Sequence, residues 1–152
     1  MRPSYVTLLL ILFAALNSYA VDRYVSTTGV NGNPGTLALP YPGIDYAADR
    51  ANPGDTIFVR GGTYFERVTP SRSGTAANRI IIKNFPGETP IIDGTGQSVG
   101  GQTAMVDIGS RSYITLDGFE IRNLITSTNS RTPLGILVDG ASVGIEILNC
   151  EI

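Results

Sequence analysis

The chain has 152 residues, a formal charge of −2, 18 glycines, 9 prolines and no histidine or tryptophan. The missing histidine excludes Ser-His-Asp or Cys-His catalysis and the commonest zinc ligand within these residues, and the faintly acidic balance provides no basic footprint for nucleic acid or anionic membranes. A single cysteine, Cys150, excludes an intramolecular disulfide framework, so stability has to come from packing.

Residues 1–20 read as a secretory signal peptide. Arg2 forms the positive n-region, Val6 to Leu16 the apolar stretch, and Ser18-Tyr19-Ala20 places small residues at a cleavage site near Ala20. The apolar stretch is too short for the roughly 30 Å of a bilayer core, and no later segment is long and apolar enough. The expected product is exported, starts near Val21 and has no membrane span. About 130 residues then remain, enough for one domain or a few turns of a repeat. Abundant turn residues with few charges favour an all-β class.

Residues 21–55 are expected to form an N-terminal strand, a loop and a capping helix. Ile44, Ala47, Ala48 and Ala51 follow the i, i+3, i+4, i+7 spacing of one helical face, and Pro53-Gly54 ends the helix. Residues 56–152 carry an internal repeat. Ile80-x-Ile82-x-x-Phe85, Ile114-x-Leu116-x-x-Phe119-x-Ile121 and Ile145-x-Ile147-x-x-Cys150-x-Ile152 superpose at offsets of 34 and then 31 residues. At the second offset Gly109 falls on Gly140, Asp117-Gly118 on Leu148-Asn149, and Glu120 on Glu151. Apolar and polar residues alternate within each copy, as in a strand with one buried face. The two-residue step in mid-copy requires a bend at Gly118 and Asn149, residue types that accept a left-handed backbone. Further strands are expected at Thr56 to Val59, Pro90 to Asp93, Ala104 to Ile108 and Gly135 to Val138. Several short strands per repeat with no helix between them predict a coil whose turns stack in parallel, a β-solenoid with a cap at its N-terminal end. The chain stops at Ile152, on an apolar strand position, so the solenoid is expected to be incomplete at its C-terminus and residues 56–152 to be its first turns.

Several segments resemble the N-terminal region of bacterial right-handed parallel β-helix polysaccharide lyases, especially the pectate lyases of polysaccharide lyase family nine. They are Tyr24-Val25-Ser26, Gly32-Asn33-Pro34-Gly35-Thr36, Asn52-Pro53-Gly54-Asp55-Thr56 and Val59-Arg60-Gly61-Gly62-Thr63-Tyr64. Ser73-Gly74-Thr75-Ala76-Ala77-Asn78, Ile80 to Lys83, Pro86-Gly87 and Asp93-Gly94 are also similar to chondroitinase B and its alginate lyase relatives. Two positions depart from the pattern: Gly43 stands where threonine or serine commonly leads into the cap helix, and Arg79 replaces a frequent proline. The resemblance implies a right-handed parallel β-helix in a secreted lyase that cleaves an acidic polysaccharide such as pectate by β-elimination. It also implies that the calcium-binding aspartates and the basic catalytic residue lie beyond residue 152. No catalytic, cofactor or metal residue is carried over to this chain, no cofactor is expected in this segment, and calcium is expected in the full-length parent. The alternative is a non-catalytic secreted β-helix that binds glycan or serves as a surface adhesin.

β-Elimination of a uronate needs a cation to neutralise the carboxylate and a base to remove the neighbouring proton. Asp93, Asp107, Asp117 and Asp139 are the oxygen ligands on offer, but three of them precede glycine and read as turn signals. At the 31-residue offset Asp107 meets Val138 and Asp117 meets Leu148, so no aspartate ladder is expected. Lys83, the only lysine, is expected to point outward as a solvated surface residue. Arg60, Arg67, Arg72 and Arg79 are candidates for glycan contact or for a charged protecting surface. Tyr64, Phe65 and Tyr113 are candidates for stacking on sugars or for core packing. Cys150, aligned with Phe119 and Phe85, is expected to be a buried apolar residue and not a reactive thiol. Gly94-x-Gly96 with Gly100 carries little weight as a phosphate loop, because a strand pattern follows it.

Overall fold

The computed structural model describes residues 19–97, 103–125 and 133–152. The expected signal peptide lies outside the described residues up to residue 18, as does Gly100.

Among the described residues, ten strands and one short helix run in the order β1 (Asp22–Val25), α1 (Ile44–Ala48), β2 (Thr56–Val59), β3 (Gly62–Tyr64), β4 (Ile80–Asn84), β5 (Pro90–Asp93), β6 (Thr103–Asp107), β7 (Ile114–Asp117), β8 (Glu120–Arg122), β9 (Pro133–Leu137) and β10 (Glu146–Leu148). Every strand pairing is parallel. Three sheets result: sheet A in the order β1-β2-β4-β7-β10, sheet B in the order β3-β5-β8, and sheet C from β6 and β9. Sheet C is extended by a bridge from Val68 to Val106. From β2 onward consecutive strands lie in different sheets and each sheet stacks one strand per turn, which is the expected parallel β-helix.

Alternation decides what faces inward. Ile57, Ile82 and Leu116 lie side by side in sheet A, each at most 1% exposed. Ile80 beside Ile114 forms a second inward row, and Tyr64, Ile92 and Ile121 form one in sheet B. Burying each such aliphatic side chain stabilises the coil by about 1.5–3 kcal/mol. The sequence offsets agree with the register at Ile80 with Ile114 and at Leu116 with Ile147. The bends also fall where expected, with positive φ at Gly118 (80°) and Asn149 (49°).

Three expectations need correction. Phe85 is not the counterpart of Phe119, because Ile91 pairs with Glu120 and one step back along both strands puts Pro90 below Phe119. Residues 85–89 form an extra corner loop, and the Phe85 ring lies with outward residues of sheet A instead. Asp107 pairs with Leu137 and not Val138, since sheet C runs at its own register and β6 and β9 begin earlier than expected. The cap helix ends at Ala48, well before Pro53; Arg50 and Ala51 continue it only through hydrogen bonds to Ala47 and Ala48 of 3.0 and 3.3 Å, three residues apart.

The helix still presents the expected face. Ile44, Ala47, Ala48 and Ala51 are at most 1% exposed, and the helix packs against β1 and β2. Its N-cap is unusual. Gly43 is extended and offers no side chain, while Glu66, far along the chain, accepts Ile44 N–H at 2.7 Å and Asp45 N–H at 3.2 Å. A remote carboxylate thereby satisfies two of the donors that every helix start leaves free.

Candidate functional site

The outward rows of the sheets carry the accessible chemistry. In sheet A one row runs Tyr24, Phe58, Lys83, Asp117, Leu148. The rings of Tyr24 and Phe58 stack at 5.5 Å between centroids, and Phe85 closes against both at 6.4 Å. The Arg60 guanidinium lies 4.7 Å above the Phe85 ring and is paired with Glu88 at 2.7 Å. These rings spend their faces on one another and on Arg60, so they brace successive turns and leave mainly edges to solvent. None of them was singled out as a site residue, yet inward Ile57 and Val59 already require Phe58 to point outward.

At the corner between sheets A and B lies an open groove of about 480 Å³, lined by Asn84, Thr89, Asp117, Gly118, Phe119, Glu120, Asn149 and Glu151. The left-handed residues Gly118 and Asn149 create it by turning the chain sharply from one sheet into the next. Its polar groups are largely committed. Asn149 donates to Asp117 at 2.8 Å, Lys83 approaches Asp117 at 3.8 Å, and Asn84 donates to the Glu88 carbonyl at 2.9 Å. Glu120 and Glu151 are register neighbours, and Arg122 pairs with Glu120 at 2.7 Å, which leaves Glu151 to add the negative charge. The groove is thus acidic, suited to hydroxyl groups and unfavourable to a bare uronate.

The four candidate aspartates are not brought together. Asp93, 3% exposed, accepts from Thr95 N–H at 2.9 Å, Arg122 at 3.0 Å and Asn123 at 2.9 Å. The Thr95 hydrogen bonds, followed by those from Arg122 and Asn123, hold its carboxyl well below the usual carboxylate range. Asp107, the one of the four that does not precede glycine, accepts from Gly109 N–H at 3.0 Å and so closes a turn of its own. Asp117 belongs to the groove, and Asp139 sits in the next turn's bend, its carbonyl accepting from Ser110. Among the described residues no group of three or more acidic or cysteine side chains is arranged around a common cation position.

Nor do the arginines converge. Arg67 donates to the Ala104 carbonyl at 2.7 Å, Arg72 to Asn52 at 3.0 Å, and Arg60 is held by Glu88. Arg79 reaches Thr115 at 2.9 Å, the Ile114 carbonyl at 3.1 Å and the Gly144 carbonyl at 2.6 Å, with Glu146 at 3.4 Å. The residue replacing the frequent proline thus ties three turns together. Lys83 points outward as expected.

The aromatic candidates separate. Tyr64 is buried, its hydroxyl donating to the Arg60 carbonyl at 2.8 Å, and burial, with Glu66 and Glu88 nearby, pushes its phenol up. Tyr113 is half-buried with a left-handed backbone (φ 54°). Phe65 is 61% exposed, beside a shallow depression shared with Thr27, Tyr46, Thr63 and Glu66. Cys150 packs half-buried against the core, and burial pushes its thiol up, away from thiolate chemistry. Gly94 to Gly96 is a turn whose backbone lies against Leu124, and the next described element is strand β6.

The family model described as the Pel9A-like, right-handed β-helix region matches residues 23–151. An uncharacterised protein of Bacillus subtilis, YwoF, is 33% identical over 127 residues, covering 82% of this chain and 27% of its own length. The pectate lyase PEL9 of Emericella nidulans is 40% identical over 87 residues, covering 55% of this chain and 21% of its own. The chain therefore spans roughly a quarter of the length of these curated relatives. Among solved structures, the GH136 lacto-N-biosidase of Eubacterium ramulus superposes with a TM-score of 0.68 over 85% of this chain and 26% of its own, at 21% identity. That likeness carries the fold alone.

Proposed function

Because the chain belongs to the Pel9A-like right-handed β-helix family, we propose that it supplies the N-terminal cap and first turns of a secreted polysaccharide lyase that acts by β-elimination on an acidic polysaccharide such as pectate. The 40% identity to a pectate lyase over 87 residues carries this reading. The role proposed for these residues is scaffold. Their arginines and aspartates are consumed in holding turns together, and the proton-abstracting base and any calcium belong to other turns. Residues 1–20 are proposed to direct export and to be removed after Ala20. No helix among the described residues is long and apolar enough to cross a membrane.

The acidic corner groove favours a second reading, a non-catalytic β-helix that binds neutral glycans or serves at a surface. One experiment separates the two. The matching N-terminal turns of the Emericella nidulans pectate lyase are replaced by residues 21–152 of this chain, and unsaturated uronate release from polygalacturonate is followed. The scaffold reading expects this chain alone to release none and the folded hybrid to keep most of the host's activity. A folded but inactive hybrid, or release by this chain alone, overturns it.

A further inference from the structure

Among the described residues Val21 is the first whose backbone is held on both sides: its N–H donates to Asp55 Oδ1 at 2.9 Å, and its carbonyl accepts from Thr56 N–H at 3.2 Å. Tyr19 and Ala20, just before it, are exposed. Asp55 is 0% exposed. Its other oxygen accepts from Arg23 Nε and Asn52 N–H, both at 2.9 Å, and Arg23 in turn donates to the Tyr41 hydroxyl at 3.1 Å. Among the described residues the only donor to Asp55 Oδ1 is a neutral amide, at the first residue of the expected mature chain.

We propose that cleavage between Ala20 and Val21 creates an α-ammonium group that forms an ion pair with the buried carboxylate of Asp55, locking the new N-terminus into the cap. This rests on the export reading above. In the cut, a leader peptidase adds water across the Ala20–Val21 peptide bond, leaving a carboxylate on Ala20 and an amine on Val21 that takes up a proton. The nitrogen need not move. It already sits at hydrogen-bond distance from the carboxylate, and the change replaces one amide donor by a positive charge with three donors. Asp55 then faces two cations, the ammonium on Oδ1 and Arg23 on Oδ2. Two cations around a carboxylate removed from water compensate its desolvation more fully than one. The uncut chain already makes the neutral version of this contact, so cleavage strengthens a cap that has formed and does not permit folding for the first time.

The test uses the whole chain expressed in an exporting host. The mass of the secreted product gives its first residue. Its amines are then labelled with an acylating reagent across a pH series, and peptide mapping separates the α-amine from that of Lys83, the only lysine. Val21 should be the first residue. Its α-amine should label with a midpoint about one pH unit above the 7.7–8.0 of a free α-amine, and about tenfold more slowly near neutrality than in urea. Simple shielding would slow labelling without moving the midpoint, so an unmoved midpoint overturns the ion pair. Asp55→Asn, where it folds, should return the midpoint to the ordinary value. A first residue other than Val21 overturns the cleavage site, and with it the export reading as stated; an unshifted Val21 amine overturns the ion pair alone.

Discussion

The carboxylate of Glu66 stands in the place of an N-cap side chain on Gly43, and a Cβ on Gly43 would lie 2.9 Å from its Oε2. The glycine and the glutamate are thus one device, which explains why serine or threonine is absent from that position. Glu66→Ala should cost about 1 kcal/mol, the usual cost of losing a cap, read as a lower denaturation midpoint. Gly43→Ser alone should also destabilise by crowding the carboxylate. Placed on Glu66→Ala it should recover most of the loss. Additive losses in the double variant would refute the shared role.

Acid and neutral stability should respond oppositely at two carboxylates. Burial holds Glu66 above its ordinary value, against the hydrogen bonds from Ile44 and Asp45. The folded state then binds the proton more tightly, so this group's effect is most favourable below the unfolded pKa and weakens as pH rises from there through the raised folded pKa. Asp93, held low, contributes stability that is present above its unfolded pKa and lost as pH falls toward its folded value. Melting temperature against pH should therefore show a shallower acid-side fall in Asp93→Asn, with Glu88 still contributing to it, and a shallower decline toward neutrality in Glu66→Gln.

Arg79 should behave as a tie between turns. Its three hydrogen bonds reach two successive turns beyond its own, and each is worth about 1 kcal/mol, so Arg79→Met should lower stability measurably in a denaturant titration. Arg79→Lys should recover little, because a single ammonium cannot reproduce the planar fork. Full rescue by lysine would argue for charge alone.

Ile114 is fully buried between Ile80 and the next turn. Ile114→Asp should place an unpaired charge there and cost several kcal/mol. Ile81→Asp, on the outward face of β4, should cost a small fraction of that. Equal melting temperatures for the two would reject the inward assignment.

The parallel stacking was legible because alternation and a repeated bend are local properties: Ile80, Ile114 and Gly118 announce their orientation without knowledge of their neighbours. What escaped was set by distant partners. Nothing near Gly43 points to Glu66, and nothing near Val21 points to Asp55. Phe85 was misassigned because the offset was right through Lys83 and the inserted corner changed it afterwards. The arginines look like a cluster in the sequence but are dispersed around the coil, since they fall in successive connections between the strands of one turn.

That inserted corner also bears on how such a chain can change. Neighbouring strands of sheet A are separated by 34 residues between Asp22 and Thr56 but by 25 between Thr56 and Ile81, and the register survives both. The height of each step is fixed by backbone pairing, whereas the path around the perimeter is not. Segments added at the corners swing outward without disturbing what lies above or below them. Decoration and support are therefore nearly independent, and new surface can be grown on one turn while the rest of the spiral keeps its alignment.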